Sequence, residues 1–320
     1  MASSPDAYHR RRMILSTIGG VAGATLPRLG KGPLQADDEH GRPTDFQIAC
    51  MTLPYSEFPL QRALTGIKSA GYDFVAWGTT HREQPGGEKI PVMPADAAPN
   101  TARELANRCR DLGLQPLMMF STVYPEDPTA VEVLTQRIKQ ASAAEIAQVL
   151  TFGHTEGDNR TLWIERLKQL GPIARDHGVI VVVKQHGGAT GTGEACAEIV
   201  REVGDAGIKV NYDAGNVMDY LNVDPIPDIQ VSADVVHSFC MKDHRNWPVD
   251  QDCGPGFGEI DHYRLLQPVA FTGRKLPLCC ENVFAPLVSR PTNAAGIDAL
   301  ARHVREFLET VIAGIQVNAK

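Results

Sequence analysis

The chain has 320 residues, of which 43% are hydrophobic and 22% are charged, and its formal net charge is −7. This length and apolar fraction suffice for one large domain with a substantial core, or for two small ones. The acidic balance argues against nucleic acid as a partner, because phosphate binding needs clustered Lys and Arg. No apolar run of the sequence reaches the roughly 18 residues needed to span a bilayer.

The first 30 residues have the features of an export signal. Three arginines at positions 10–12 precede a mildly apolar, Gly- and Ala-rich segment that ends at Pro27. The stretch Arg11-Arg12-Met13-Ile14-Leu15 resembles the twin-arginine consensus. We therefore expect a twin-arginine-type signal peptide over residues 1–30, a polar linker over 31–44, and a periplasmic or secreted protein without membrane attachment after processing. A disordered basic tail is the alternative.

From residue 46 onward, short apolar strands alternate with amphipathic helices. Strands are predicted over residues 46–50, 72–77, 115–121, 146–152, 179–184, 208–213, 234–241 and 276–280. Helices are predicted over residues 59–70, 100–112, 129–143, 159–177 with an interruption near Gly171-Pro172, 193–203, 260–270 and 294–315. Alternation of this kind implies a parallel sheet. Eight units over roughly 270 residues match a single (β/α)8 TIM barrel, which we expect to cover residues 45–318.

A doubly wound open sheet is the alternative arrangement for alternating strands and helices. A dinucleotide-binding sheet of that type has a Gly-rich turn after its first strand. The corresponding turn here is Met51-Thr52-Leu53-Pro54, which has no glycine. The sequence therefore favours the closed barrel.

The segment 179–188, Val-Ile-Val-Val-Val-Lys-Gln-His-Gly-Gly, indicates where the chemistry lies. Five β-branched residues in a row are typical of a strand buried on both faces. The strand ends at Lys184, Gln185 and His186, and the carboxyl ends of barrel strands are where TIM barrels have their active sites. Strand parity directs Lys184 and His186 to one side and Gln185 to the other.

Other polar side chains follow the carboxyl ends of the remaining strands, so a barrel would bring all of them to the same mouth. They are His154, Asp213, Asn216, Cys240, Lys242, Asp243, Arg245 and Glu281. An Asp, a Glu and one or two His converging on one site suit a divalent metal such as Mn, Mg, Co or Zn. No pair has the fixed spacing of a metal motif, so this expectation depends on the fold.

Four short motifs resemble those of the sugar phosphate isomerase/epimerase superfamily of xylose isomerase-like TIM barrels. Residues 210–216, Val-Asn-Tyr-Asp-Ala-Gly-Asn, are similar to its "nyDtgN" segment, and residues 240–243, Cys-Met-Lys-Asp, are similar to "HvKD". Residues 254–261 are similar to the "GeGeiD" turn and residues 278–282 to the final "lslEn". The likeness covers residues 46–315.

The resemblance implies one divalent metal held by Glu, Asp, His and Glu at four strand ends. Asp213 and Glu281 match this set, whereas Lys184 stands at the first Glu and Cys240 at the His. A protonated Lys cannot ligate a metal. Three arrangements stay open: the metal shifts to Asp213, Glu281 and His186 with Cys240 as fourth ligand, Lys184 takes over the charge of the metal, or the site is a degenerate binding pocket.

The resemblance also implies an isomerase- or epimerase-like enzyme that moves a proton on the carbon next to a carbonyl of a free or oxidised sugar, with help from a metal. The expected catalytic residues are Lys184, His186 and Glu281, the metal ligands Asp213, Glu281, His186 and Cys240, and the substrate contacts His154, Asn216, Lys242, Asp243 and Arg245. The alternatives are a lyase that performs β-elimination on a 3-keto-glycoside and a non-catalytic sugar-binding protein. A nuclease of the AP endonuclease type is disfavoured, because it would need more His and acidic ligands than the expected mouth supplies. Homo-oligomers are common in the superfamily.

Overall fold

The computed structural model describes residues 41–121, 123–157 and 159–317, so the predicted signal peptide and most of the predicted linker lie outside the described residues. The strands of this part of the chain are β1 (Asp45–Met51), β2 (Phe74–Trp77), β3 (Thr80–Arg82), β4 (Lys89–Pro91), β5 (Gln115–Phe120), β6 (Gln148–Thr151), β7 (Ile180–Lys184), β8 (Ile208–Tyr212), β9 (Val236–Met241), β10 (Asp243–Arg245), β11 (Gln251–Cys253) and β12 (Lys275–Cys280). The α-helices are α1 (Leu60–Ser69), α2 (Pro99–Asp111), α3 (Ala130–Ala144), α4 (Arg160–Asp176), α5 (Gly193–Val203), α6 (Ala214–Leu221), α7 (Pro225–Ser232), α8 (His262–Leu266) and α9 (Ala294–Gln316).

Eight of the strands close into a parallel barrel in the order β1-β12-β9-β8-β7-β6-β5-β2. Every neighbouring pair within it is parallel, including β1 with β12, where the first and last strands meet. Parallel neighbours need a crossover connection, and the helices between the strands supply it. The closed barrel confirms the predicted (β/α)8 fold.

Side chains alternate between the interior of the barrel and the layer beneath the helices, because successive residues of a strand point to opposite faces. Most of the interior is apolar and forms a separate buried cluster that includes Ala49, Met51, Met118, Leu150, Val182 and Cys279, although buried Gln148, Asn211 and Ser238 share this face. The intervening residues, such as Val181 and Val183, pack in the main core under the helices. This alternation explains the unbroken β-branched run of β7, since both of its faces are buried.

Helix ends follow local chemistry where the sequence supplies it. The hydroxyl of Thr192 accepts a hydrogen bond from the N–H of Ala195 at 3.0 Å and caps the start of α5. Gly204 ends the same helix with a φ of +69°, a left-handed conformation that favours glycine. These two signals explain why the predicted bounds of α5 agree with the structure.

Two prolines act differently from the sequence-based expectation. The helix α4 continues through Pro172, so the expected interruption is absent from this described helix. Pro172 lies on the exposed face, where the backbone carbonyl that loses its hydrogen-bond donor to the proline can bind water instead. In contrast, the helix expected over residues 260–270 is only the five-residue α8, followed by a 3-10 turn over Gln267–Val269. Pro268 stops α8 because it has no N–H to donate.

Two hairpins and two helices were not predicted. The hairpins β3–β4 and β10–β11 have strands of three residues, too short for a visible alternation. Helices α6 and α7 have eight residues each and fill the interval between β8 and β9. The hairpin β10–β11 follows β9 directly, at the carboxyl end of the barrel strands.

All seven cysteines lie in the described part of the chain, where they are buried and form no disulfide. Among the described helices, none is long and apolar enough to cross a bilayer.

Candidate functional site

Charged side chains from four strand ends meet at the carboxyl-end mouth of the barrel. The ammonium of Lys184, the last residue of β7, lies 3.0 Å from Asp213 Oδ2 and 2.7 Å from Glu281 Oε2. The sulfur of Cys240, near the end of β9, lies within 4.8 Å of carboxylate oxygens of both acids, and Lys242 follows two residues later with its stem over Gly215. We call Lys184, Asp213, Cys240, Lys242 and Glu281 the mouth cluster. The side chains of Lys184 and Asp213 are 4% and 0% exposed, so this ion pair is shielded from water.

Strand register and parity bring these residues together. Lys184 follows the interior residue Val182 by two positions, and it lies opposite Asn211 of β8. Asp213 follows Asn211 by two positions, which places it on the same side. Cys240 pairs with Cys279 of β12, and Glu281 follows Cys279 by two positions. The cluster therefore forms the layer at the mouth, above the largely apolar interior of the barrel.

The two carboxylates of the cluster titrate differently. Burial alone would raise the pKa of Glu281, but the charges of Lys184 and Lys242 outweigh it and lower this pKa to about 2. Burial dominates at Asp213 and raises its pKa, although the same two ammonium groups oppose the shift. Glu281 is therefore the ionised partner of Lys184 throughout the neutral range.

The pKa of Lys184 shifts upward. Burial favours the neutral amine, but Glu281 and Asp213 together raise the pKa well above its usual value. A buried Lys without such partners would lose its proton. Lys184 consequently stays an ammonium and can donate hydrogen bonds, but it cannot accept a proton.

A hydrogen-bond network behind the cluster positions Asp213. Its Oδ1 accepts the N–H of Asn216 at 3.0 Å and so caps α6, while its own N–H donates to Gln185 Oε1 at 2.7 Å. The amide of Asn216 donates to the backbone carbonyl of Gln185 at 2.6 Å. Asn216, expected as a substrate contact, thus supports Asp213 in the structure. Gln185 has the same role, and its direction away from Lys184 agrees with strand parity.

His186 lies beside the cluster with one ring nitrogen engaged. Its Nδ1 is 2.6 Å from the carbonyl oxygen of Gly153, and because a carbonyl only accepts, Nδ1 carries the proton. Burial, together with the nearby ammonium of Lys184, lowers the pKa of His186 despite this bond. The imidazole is therefore neutral at pH 7, with the lone pair on Nε2.

Aromatic rings form the walls around these groups. The ammonium of Lys184 is 5.7 Å from the ring centroids of both Phe120 and Phe152, which is within cation–π range. The ring of His186 packs against Phe152 at 4.7 Å and against Tyr220 at 5.3 Å. Sequence reasoning missed the two phenylalanines and Tyr220. Strand parity could have found Phe152, two residues beyond Leu150, whereas Tyr220 belongs to the unpredicted helix α6.

Lys242 connects the cluster to the β10–β11 hairpin. Its ammonium lies 2.5 Å from Asp252 Oδ2, and Asp213 and Glu281 raise its pKa against the effect of burial. Its aliphatic stem passes over Gly215, where a Cβ would come within 2.6 Å of Lys242 Cγ. Gly215 is thus required for the close approach of this side chain.

Three residues expected to contact substrate lie elsewhere. Both oxygens of Asp243 accept backbone N–H groups, among them those of Gly256, Gly258 and Ile260, so its carboxylate organises that loop. Arg245 is part of β10 in the hairpin. His154 stands at the rim, half exposed, with its ring 4.1 Å from that of Tyr124. The structure brings none of the three into the mouth cluster.

The cluster has some of the donors of a metal centre. Asp213, Cys240 and Glu281 each offer one ligand atom, and these atoms lie within 4.8 Å of one another. Among the described residues, His186 is not part of this group. A second group, Asp219, His244 and Asp250, lies at the hairpin, where two of the three are exposed.

The donors of the mouth cluster do not fit a divalent ion as they stand. A metal would bind the same carboxylate oxygens that face the ammonium of Lys184. Burial also raises the pKa of Cys240 well above its usual value, although Lys184 opposes the shift. The thiol is therefore protonated without a metal, so an ion bound here would have to displace this proton as well as the ammonium of Lys184.

The chain matches the model of the xylose isomerase-like TIM barrel family over residues 64–307. A search of curated proteins found no match. Solved structures with the same fold include an L-ribulose 3-epimerase, at 18% identity and a TM-score of 0.65 over 85% of this chain and 96% of that one. They also include D-psicose 3-epimerase, at 12% identity and a TM-score of 0.62 over 84% of this chain and 100% of that one.

A third similar structure is a barrel of this type from Mycobacterium smegmatis in complex with magnesium, at 16% identity and a TM-score of 0.63 over 86% of this chain and 99% of that one. Identities this low establish a common fold and leave the activity open. The family match, in contrast, covers most of the chain and agrees with the closed parallel barrel. The chain therefore belongs to the xylose isomerase-like TIM barrel family.

Proposed function

We propose that this chain is an enzyme that transfers a proton at the carbon next to the carbonyl group of a sugar. The observation that carries the proposal is a neutral imidazole, His186, beside a buried ammonium, Lys184, at the mouth of a barrel. A proton acceptor and a cationic hydrogen-bond donor are the two groups that enolisation requires. Sugar epimerases among the proteins of similar fold support a carbohydrate substrate.

His186 has the properties of the base. Its Nε2 carries a lone pair because Nδ1 donates to Gly153, and its lowered pKa keeps the ring neutral at pH 7. In the proposed step, Nε2 takes the proton from the carbon, the C–H electron pair forms the carbon–carbon double bond, and the carbonyl oxygen becomes an oxyanion. A general base works best when its pKa lies not far from the working pH, and an imidazole with a lowered pKa is unprotonated at neutral pH.

Lys184 stabilises that oxyanion. An ammonium has three donors. That of Lys184 donates a hydrogen bond to Glu281 Oε2 at 2.7 Å and forms an ion pair with Asp213 Oδ2 at 3.0 Å. In the proposed step, a remaining N–H donates to the substrate oxygen. A pre-oriented donor of this kind in a site shielded from water stabilises developing negative charge strongly.

A single base favours isomerisation or elimination over epimerisation. If the hydroxyl proton on the neighbouring carbon moves to the oxyanion and His186 returns its own proton to the former carbonyl carbon, an aldose becomes a ketose. If a glycosidic oxygen stands on the next carbon, as in a 3-keto-glycoside, the enolate re-forms the carbonyl, the bond to the glycosidic oxygen breaks, and protonated His186 gives its proton to that oxygen. A two-base epimerisation would need Glu281 to accept a proton, and a carboxylate with a pKa of about 2 is a poor base.

The substrate is proposed to be a free or oxidised sugar without phosphate. Three carboxylates, those of Asp219, Asp250 and Asp252, lie on and beside the hairpin next to the mouth cluster. Like charges disfavour a phosphate ester there. The export signal expected over residues 1–30 supports the same choice, because phosphorylated sugars are intracellular substrates; export and the oligomeric state remain predictions.

The test is exchange of the carbon-bound proton with solvent. Aldoses, ketoses and 3-keto-glycosides are incubated with the protein in D2O, and loss of the signal of the proton next to the carbonyl is followed by NMR. His186→Gln should slow exchange by about 10²–10⁴-fold. His177→Gln, the same change at the end of α4, should leave the rate unchanged. Sugar binding without exchange in the wild type would instead favour the non-catalytic binding protein.

A further inference from the structure

The mouth cluster places two carboxylates where they need a cation. Asp213 is fully buried and the side chain of Glu281 is 17% exposed, and burying unpaired anions is costly. A bound divalent ion can meet this need, as can protonated side chains of the protein itself. The arrangement of Lys184 indicates which of the two this chain uses.

The ammonium of Lys184 lies where a metal would bind. It is 2.7 Å from Glu281 Oε2 and 3.0 Å from Asp213 Oδ2, and ligand atoms of these two residues and Cys240 lie within 4.8 Å of one another. An ion bound between these oxygens at about 2.0–2.6 Å would meet the ammonium. The two cations therefore exclude each other.

The chain supplies two positive charges of its own at the mouth. Lys184 pairs with both Asp213 and Glu281, and Lys242 lies with its stem over Gly215, two residues after Asp213, where it pairs with Asp252. The two ammonium groups together carry the same charge as one divalent ion. Gly215 leaves the room through which Lys242 reaches this position, since a Cβ there would contact its stem.

We propose that Lys184 takes the place of a divalent cation, with Lys242 supplying a second positive charge, so that this barrel mouth works without a metal. The catalytic part of this inference rests on the proposed function, but metal binding can be measured without any substrate. The inference makes a positive prediction: removal of the ammonium should turn the same donors into a metal site.

The first experiment measures Mn²⁺ bound to purified, desalted protein by elemental mass spectrometry. Wild type should retain far less than one ion per chain. Lys184→Glu, which removes the ammonium and adds a carboxylate, should retain about one Mn²⁺ per chain. Adding Asp213→Asn to that variant should abolish the binding. Lys209→Glu makes the same charge change near the amino end of β8, away from the mouth, and should behave like wild type.

The second experiment covers the case in which Lys184→Glu does not fold. Lys184→Met removes the ammonium without a new ligand, and millimolar Mn²⁺ should raise its Tm by about 5 °C, because a ligand that binds only the folded state stabilises it. The Tm of wild type should not respond. Stoichiometric Mn²⁺ on wild type that disappears with Asp213→Asn would overturn the inference, as would folded Lys184 variants that bind no ion.

These outcomes are separable from those of the proposed function. A wild type that exchanges protons in EDTA supports both proposals, and one that binds Mn²⁺ at Asp213 and exchanges protons refutes only the metal-free centre. A wild type that neither binds Mn²⁺ nor exchanges protons refutes only the proposed reaction.

Discussion

Replacement of Lys184 by Met tests whether the ammonium holds the barrel mouth together. The change leaves Asp213 and Glu281 buried without their closest counter-ion, at distances that are now 3.0 and 2.7 Å. Removing one partner of a buried ion pair costs about 3–5 kcal/mol of folding free energy. Because Lys242 remains nearby, we expect a loss near the lower end, about 3 kcal/mol at pH 8.

The loss should depend on pH with a defined sign. In wild type the folded pKa of Glu281 is about 2, below its usual value of 4.5, so its contribution is present above pH 4.5 and lost as the pH falls through 2. In Lys184→Met, burial is no longer opposed by this ammonium, and the pKa values of both carboxylates rise in the folded state. The folded variant then binds protons more readily than the unfolded chain, so its deficit shrinks towards pH 5.

Urea unfolding followed by circular dichroism at pH 8 and pH 5, in EDTA, measures both quantities. Lys209→Met, at a half-buried position of β8 outside the cluster, is the matched control and should cost well under half of that loss. A deficit below about 1 kcal/mol at pH 8, or one that is the same at pH 5, would refute the argument that the ion pair supports the mouth.

Three further predictions concern residues around the cluster. Wild-type kcat/KM should rise with pH through a value below 6.5, because the lowered pKa of His186 sets when the base is free, and His186→Gln should remove this limb of the profile. Gly215→Ala should displace the stem of Lys242, whose Cγ would lie 2.6 Å from the new methyl group, and reduce kcat/KM by at least about tenfold while the circular dichroism spectrum is kept. Asp243→Asn should lower stability by about 1–3 kcal/mol in urea unfolding, since one of its oxygens becomes a donor facing the N–H groups of the loop 256–260.

The barrel was predictable because its signals are local. A β-branched run with polar residues at its end predicts a buried parallel strand, and repetition of strand and helix predicts the crossover topology. The same reasoning located Lys184 and His186 at the mouth, since carboxyl ends of parallel strands share one edge. Short elements escaped prediction, because the three-residue strands of the β10–β11 hairpin have no measurable period.

The partners within the site were not predictable in the same way. The distances between Lys184, Asp213 and Glu281 depend on the register of β7, β8, β9 and β12, which no local pattern specifies. The direction of Asp243 is a similar case. Its position after a strand suggested substrate, but its oxygens accept N–H groups of a loop 13 to 17 residues later.

Packing explains why a glycine stands at position 215. In the sequence, Gly215 is only one residue of the stretch 210–216 that carries the family resemblance. In the structure, the stem of Lys242 passes directly over Gly215 on its way to Asp252. If Lys242 contributes the second positive charge of a metal-free mouth, Gly215 and Lys242 form one functional unit. Lys242→Met should then reduce activity as Gly215→Ala does. The double variant should be no worse than Lys242→Met alone, because Gly215→Ala only displaces an ammonium that Lys242→Met has already removed.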